Sequence, residues 1–465
     1  MTNLSPPAPA TAARMRTVAA ASFAGALMEW YDFFLYGTAS ALVFSKLFFP
    51  GLSPAAGTAA SFATFGVGFV ARPLGGVVFG HFGDRAGRKS MLIATVLIIG
   101  CGTFLIGLLP TYAAIGIWAP ILLVVLRLFQ GIGLGGEYAG AALLTIEHAP
   151  ARSRGLWGSI PQAAASAGIL LGTGIFDGVS SLPKHAFLTW GWRIPFLLSA
   201  VLFVVGLVIR LRVTETPVFV QAQREQAQRE QAEREQAERE QARRGAARDA
   251  VPLAELIRRH PGNLALAFGA RLAETISSNI FNAFAISYIG TTLAMSKGSA
   301  LNGILIGSAL GVVACPLFGA LADRIGRRTV YMLGAGFTVV FAFPFFLLLD
   351  SRAPGLVWLA VVLGYVFGPT LMFAAEATFF AEMFGTRTRY TGLSVAYQVS
   401  AIVGGFTPLI ATALLAAGGR RPWLVGGYLA GIGLISGLSA WAARTNPAGL
   451  NAAASVTVRE AARPS

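Results

Sequence analysis

Apolar residues fill this chain in stretches of roughly 20, broken by short loops rich in arginine. A stretch of that length crosses a hydrocarbon layer about 30 Å thick as a single α-helix. The pattern predicts membrane helices over 17–46, 57–82, 90–110, 118–147, 155–180 and 191–213, then over 263–290, 299–322, 329–349, 355–380, 390–417 and 422–443. The fold class expected is therefore all-α and integral to the membrane, with twelve transmembrane helices. The first run is no cleavable leader, because it continues to about Lys46 and contains Glu29 and Asp32, for which a disposable segment has no use.

The two halves repeat each other. Gly80-His-Phe-Gly-Asp84-Arg85-Ala-Gly87-Arg88-Lys89 follows the second span, and Gly319-Ala-Leu-Ala-Asp323-Arg324-Ile-Gly326-Arg327-Arg328 follows the eighth. The offset from Asp84 to Asp323 also carries Asp32 onto Arg271 and Glu137 onto Glu376. This reads as duplication of a six-helix unit into two pseudo-symmetric bundles that rock about a solute site between them. The chain divides into a tail at 1–16, a first bundle at 17–213, a central loop at 214–262, a second bundle at 263–443 and a tail at 444–465.

Inside the central loop, residues 221–244 repeat Gln-Ala-x-Arg-Glu. Five residues turn a helix about 140° beyond one full turn, so the alanines spiral and no apolar seam forms. Glu225–Arg229, Glu230–Arg234, Glu235–Arg239 and Glu240–Arg244 stand at i,i+4 in the favourable order, which predicts a solvated single helix serving as a spacer.

Composition agrees with the membrane reading: 55% of the 465 residues are apolar and 12% charged, about half the charge of a soluble domain. Cys101 and Cys315 lie in apolar runs, which excludes a disulfide scaffold or a thiolate cluster. The net charge of +15 reports topology. Lys and Arg collect in the loops at 83–90, 148–154, 323–328 and 381–389 and in the central loop, while the intervening loops are poorer in them. Both termini are thereby expected in the cytoplasm. The pentad repeat balances its arginines with glutamates, so no nucleic-acid partner is expected.

The repeated Gly…Asp-Arg…Gly-Arg loop resembles the signature of the major facilitator superfamily. Gly25-Ala-Leu-Met-Glu29-Trp-Tyr-Asp32-Phe-Phe-Leu-Tyr36-Gly37, Arg72-Pro-Leu-Gly-Gly76, Arg127-Leu-Phe-Gln-Gly131 through Gly135-Gly-Glu137, Trp190-Gly-Trp-Arg-Ile-Pro195 and Ala381-Glu-Met-Phe-Gly-Thr-Arg-Thr-Arg-Tyr390 narrow the match. Over about 17–443 the chain is similar to the metabolite:proton symporters of that superfamily, a sugar-transporter-like group with permeases for dicarboxylates, shikimate and proline/betaine. The resemblance implies the superfamily fold and a gating role for Gly80, Asp84, Arg85, Gly87, Arg88, Lys89, Asp323, Arg324, Gly326 and Arg327. It also links the arginine at the position of Arg127 to proton transfer. Two departures stand out: Ala26 replaces an asparagine frequent in the family, and the pentad loop is longer than usual.

The residues carry a reading of their own. Glu29, Asp32, Phe33 and Tyr36 share one face of the first span, and carboxylates in hydrocarbon must face a cavity or a partner. An acid whose cation partner moves between conformers can load and release a proton, so Glu29, Asp32, Arg127 and Glu137 are the proton-coupling candidates. A static ion pair at Glu29 or Asp32 remains an alternative. Arg127, roughly nine residues or ~14 Å into the fourth span, can fork a solute carboxylate or that of Asp32 or Glu137. In the seventh span Arg271, Glu274, Thr275, Ser278 and Asn282 form a polar stripe that reads as cavity lining. Solute-binding candidates are Tyr36, Arg127, Gln162, Arg271, Glu274, Asn282 and Tyr397. Glu376, near the cytoplasmic end of the tenth span, reads as a gate contact.

Gly131, Gly133 and Gly136 satisfy a dinucleotide fingerprint, but inside an apolar helix they read as close-packing residues. His81, His148, His185 and His260 have no ligand partner at helical spacing, so no metal is expected, and no cofactor. The chain carries no H-E-x-x-H, G-x-S-x-G, C-x-x-C or G-x-x-x-x-G-K-[ST], which argues against an enzyme or a nucleotide-driven pump. The expected protein is a monomeric proton-coupled symporter of a bacterial inner membrane. It imports a small organic anion, such as a mono- or dicarboxylate, by alternating access. A zwitterionic osmolyte of betaine or proline type, or an uncoupled facilitator, is the alternative.

Overall fold

The computed structural model describes residues 12–86, 88–135, 145–146, 149–212, 261–384 and 389–445; the side chains at 12–14, 17–18, 21, 76–93, 206–207, 209–212, 297 and 389–391 lie outside that description. The described residues form helices joined by short loops, with no strand among them. In chain order the long helices are α1 (Ala12–Ala39), α2 (Pro54–Ala86), α3 (Arg88–Leu108), α4 (Trp118–Leu134), α5 (Arg154–Ser180) and α6 (Ile194–Arg212). The second half supplies α7 (Pro261–Asn279), α8 (Lys297–Ile325), α9 (Arg327–Asp350), α10 (Pro354–Tyr365, resumed at Leu371–Met383), α11 (Arg389–Ala417) and α12 (Trp423–Ala442).

Among the described residues, seven helices are long and apolar enough to cross a membrane, and Ala94–Leu108, Trp118–Leu134 and Gly191–Val205 are shorter apolar helices. The helices α1 and α7 are not among the seven. They carry Glu29, Asp32, Arg271 and Glu274, whose charges lower their hydropathy. Outside the bundle, Val201, Val313, Leu317, Val340, Leu438 and Trp441 stay exposed, forming an apolar girdle that suits lipid rather than water.

The sequence expectation of a first run to Lys46 meets a helix that continues past α1 through a π-turn at Ser40–Phe44 to Leu47. A matching π-turn interrupts the other half at Ile280–Phe284, directly after α7, with further ones at Tyr288–Thr292 and Val366–Thr370. A π-turn inserts one residue and leaves a backbone carbonyl to find a partner. At the first of them Ser61 on α2 donates to the Ser40 carbonyl at 2.9 Å. The span expected at 57–82 runs longer, Pro54–Ala86, because its basic end projects beyond the apolar stretch.

Packing between the halves runs through α5 against α8 and α2 against α11. Glycine decides how near the backbones come. A Cβ at Gly155 would lie 2.4 Å from the Gly319 carbonyl oxygen, and one at Gly319 would lie 2.5 Å from that of Gly155. Within the first half a Cβ at Gly131 would sit 2.0 Å from the Gly68 carbonyl oxygen, so this glycine allows α4 to lie against α2. Helices in lipid gain their association from such close contact and not from leaving water.

Candidate functional site

The first buried charge cluster assembles from α1, α3 and α4. Asp32 is 1% exposed. Its Oδ1 accepts from Gln130 Nε2 at 2.8 Å and from the Thr103 hydroxyl, and its Oδ2 lies 3.4 Å from Arg127 Nη1. Arg127 also donates to Gln130 Oε1 at 3.2 Å, which ties the helix neighbours together. The guanidinium stacks on the Tyr36 ring at 4.3 Å, and Tyr36 donates to Thr64 at 2.8 Å. Two glycines make the slot: a Cβ at Gly68 would meet Arg127 Nε at 2.6 Å, and one at Gly102 would meet Gln130 Cγ at 2.7 Å. One turn earlier on α1, Glu29 pairs with Arg72 of α2 at 3.6 Å, and Arg72 stacks over Phe69 at 4.6 Å.

The second cluster lies between α7, α10 and α11. Arg271 Nε donates to Glu376 Oε1 at 2.8 Å, and its Nη2 lies 3.5 Å from Glu274 Oε2. Nη1 donates to Ser400 at 2.9 Å, and the guanidinium stands 3.6 Å over the Tyr397 ring. All three charged residues are buried. An ion pair in a low-dielectric interior holds only with good geometry and added hydrogen bonds, and loss of one partner is far more costly than loss of the pair.

Between the halves lies a void of about 10 Å³, bordered by Phe34, Gly37, Phe65, Asn279, Asn282 and Ile286 among others. Asn279 and Asn282 each donate their side-chain amide to the carbonyl one turn back, at 2.8 Å. That leaves the buried Asn282 Oδ1 as an acceptor with no hydrogen-bond partner among the described residues. Among the described residues, contacts cross between the halves on either side of this void. Asp323, at the end of α8, accepts from the backbone N–H of Gly155 and Leu156 at 2.7 and 2.9 Å, capping the first turn of α5 in the other half. Arg327 holds Asp323 at 3.5 Å and also pairs with Glu382. Gln398 on α11 donates to the Gly135 carbonyl at 2.9 Å, and Ser166 and Tyr365 share a 2.9 Å hydrogen bond. Toward the opposite face Gly37 of α1 lies against Ala283.

Asp32, Arg127 and Tyr36 thus come together, whereas Glu29 turns to a separate arginine. Arg271, Glu274 and Tyr397 meet in the second cluster, while Asn282 points to the central void, so the stripe on α7 divides between two surroundings. Gln162 is buried on α5. Glu376, expected as a gate contact, is fully buried against Arg271, because its turn of α10 faces α7. Arg324 is a neighbour of Asp323 at the end of α8, and Gly326, at φ 97°, takes the left-handed turn into α9 that a side chain would oppose. Glu137, Gly87, Gly136, His148, His260 and the pentad repeat lie outside the described residues. Gly80, Asp84, Arg85, Arg88 and Lys89 fall at the join of α2 and α3, where side chains are not described. Sequence reasoning gave no role to Arg72, Thr103, Ser400 or Asn279. An arginine inside an apolar span was the available signal for Arg72, but hydroxyls in helices carry none.

Comparison with known proteins follows the same lines. A family model described as sugar (and other) transporter matches residues 17–443. The chain is 44% identical over 406 residues to the shikimate transporter of Escherichia coli K12, spanning 86% of this chain and 88% of that protein. It is 35% identical over 438 residues to the proline/betaine transporter of the same strain, spanning 92% and 83%. The crystal structure of a D-xylose-proton symporter superposes with a TM-score of 0.68 at 18% identity, covering 93% of this chain and 99% of that one, a likeness of fold. Two six-helix bundles, each with buried charges of its own, define a multi-pass membrane transporter of the major facilitator superfamily, not an enzyme. Within it, the chain belongs to the sugar (and other) transporter family.

Proposed function

We propose that this protein is a proton-coupled symporter that imports a carboxylate-bearing metabolite by alternating access, as a monomer in a bacterial inner membrane with the Asp323 end cytoplasmic. The observation that carries the reading is the Asp32–Arg127 pair, sealed from solvent and shared among three helices of one half. An acid held by an arginine stays ionised while the arginine is near and takes up a proton when it departs. Rearrangement of α1 against α4 within that half, as the halves rock, supplies that departure, and proton loading at Asp32 then accompanies solute loading.

Arg271 favours an anion and Asn282 a hydroxyl-bearing solute, at two stations about 16 Å apart along α7 that a solute would meet in turn. A guanidinium matches a carboxylate in charge and fork geometry, and an unpartnered amide oxygen accepts a solute hydroxyl. Shikimate, carried by the relative of 44% identity, has both groups. A second reading, a zwitterionic solute, is supported by Glu274 beside Arg271 and by the proline/betaine relative. Asp323 and Arg327 fit a latch between the halves, closed in this conformer.

The test is uptake into proteoliposomes of labelled mono-, di- and tricarboxylates, shikimate and betaine, with and without an inward-directed pH step. Accumulation of a carboxylate that disappears with the gradient is expected. Betaine accumulation without carboxylate uptake would establish the zwitterion reading, and equilibration indifferent to the gradient would make the protein a facilitator.

A further inference from the structure

A second concave site lies away from the central void, at the face opposite Asp323. It is a cleft of about 640 Å³ bordered by Tyr288, Asp350, Arg352, Arg420, Arg421 and Trp423, where the loops after α7, α9 and α11 converge. Membrane proteins keep basic side chains scarce on one face, and the loops of this face are the poorer ones in Lys and Arg. Yet three arginines meet in one cleft. Among the described residues none has a carboxylate within ion-pair distance; Arg420 reaches only the Thr291 carbonyl, at 3.4 Å. The one acid, Asp350, accepts a hydrogen bond from Tyr288 at 2.6 Å. The cleft therefore carries an uncompensated positive charge.

Backbone conformation adds an independent sign. Positive φ outside glycine occurs among the described residues at Ala294 (53°), Arg352 (54°) and Arg420 (66°), all in loops that border this cleft. Glycine takes such a conformation freely, and an arginine pays for it in steric strain. Local geometry asks for glycine at both arginines, so the side chains have another reason to be there.

The surroundings say what would fill the cleft. It opens above the seam of α9 and α12, which pack along their length. Phe343, Leu347, Trp423 and Leu424 on that seam are exposed, at 42, 57, 42 and 48%. An indole at a helix end beside an apolar seam is the signature of the headgroup level of a bilayer. We propose that the cleft binds the phosphate of an anionic phospholipid, its headgroup on Arg352, Arg420 and Arg421 and its acyl chains along the α9–α12 seam. A free anion on its way to the central void would use the arginines but not the seam.

Purified full-length protein in neutral detergent, titrated with phosphatidylglycerol or phosphatidylcholine of matched chains and followed by native mass spectrometry, tests this. Phosphatidylglycerol is expected to bind at least about tenfold more tightly than phosphatidylcholine, from roughly one RT-scale step per basic group. The variant R352G/R420G/R421Q places glycine at the two positions where the backbone is left-handed and so adds no backbone strain there; with wild-type yield and monodispersity as its folding check, it is expected to lose that preference. Equal phosphatidylglycerol retention by wild type and variant overturns the proposal. Inorganic phosphate and glycerol 3-phosphate at matched concentration are expected not to displace the lipid; displacement would assign the cleft to a free anion and overturn the lipid reading.

Discussion

Arg271 stands where the duplicated half carries Asp32, and each finds its opposite charge on the fourth helix of its own half: Arg127 at 3.4 Å from Asp32, Glu376 at 2.8 Å from Arg271. The polarity of the pair is inverted between the halves. Duplication preserved the pairing of first and fourth helices but neither its sign nor its register, since Glu376 is the counterpart of Glu137 and not of Arg127, which leaves an acid-first cluster in one half and a cation-first cluster in the other.

If Asp32 is the coupling acid as proposed, removing its charge separates proton coupling from solute movement. Asp32→Asn retains the hydrogen bonds from Gln130 and Thr103 but cannot bind or release a proton. Accumulation driven by a pH step should be lost, while exchange of labelled for unlabelled solute across the same vesicles continues. Surviving proton-driven accumulation would remove Asp32 from coupling.

Arg271→Gln should abolish uptake of an anionic solute with expression intact. It also strands Glu274 and Glu376 in the interior, at a cost of about 3–5 kcal/mol, so the melting temperature should fall. The double variant R271Q/E376Q should recover much of that stability without recovering uptake. Normal uptake by the single variant would place the solute elsewhere.

Asp323→Asn keeps the shape and one acceptor oxygen but removes the negative charge from the first turn of α5. Capping and dipole interactions of this kind are each worth about 1 kcal/mol. That is enough to move a balanced equilibrium about fivefold toward the conformer open at this end. Maleimide labelling of Cys315, buried with its thiol 3.5 Å from the Ser159 carbonyl, reports that opening in a C101S background. An unchanged labelling rate would deny Asp323 a latch role.

Gly155→Ala should open the same end by steric force. The added methyl would overlap both the Gly319 carbonyl and the Asp323 carboxylate, at 2.4 and 2.8 Å. Faster Cys315 labelling with slower uptake is expected; wild-type behaviour in both would show that the contact yields.

Much of the architecture was legible because membranes impose a length and the chain repeats itself. The spans, the Asp-Arg loop and the intramembrane acids on α1 stand out by their cost in lipid. Which charges pair was not legible. Glu29 and Asp32 share a helix face, yet one meets Arg72 on α2 and the other Thr103 on α3 and Arg127 on α4. Glu376 sits near a helix end in sequence, but its azimuth places it under Arg271. Thr103 and Ser400 hide among ordinary hydroxyls, since a threonine in a helix can equally bond its own backbone, as Thr103 also does to Ile99.

The void of about 10 Å³ is room for one water at most. On the proposed alternating-access reading, a metabolite lodged there would hold α1 and α7 apart, and this shape would be the unladen leg of the cycle. Throughput then sets a ceiling on grip: a solute held too firmly delays the reset, and the best-bound compound should be an inhibitor before it is cargo.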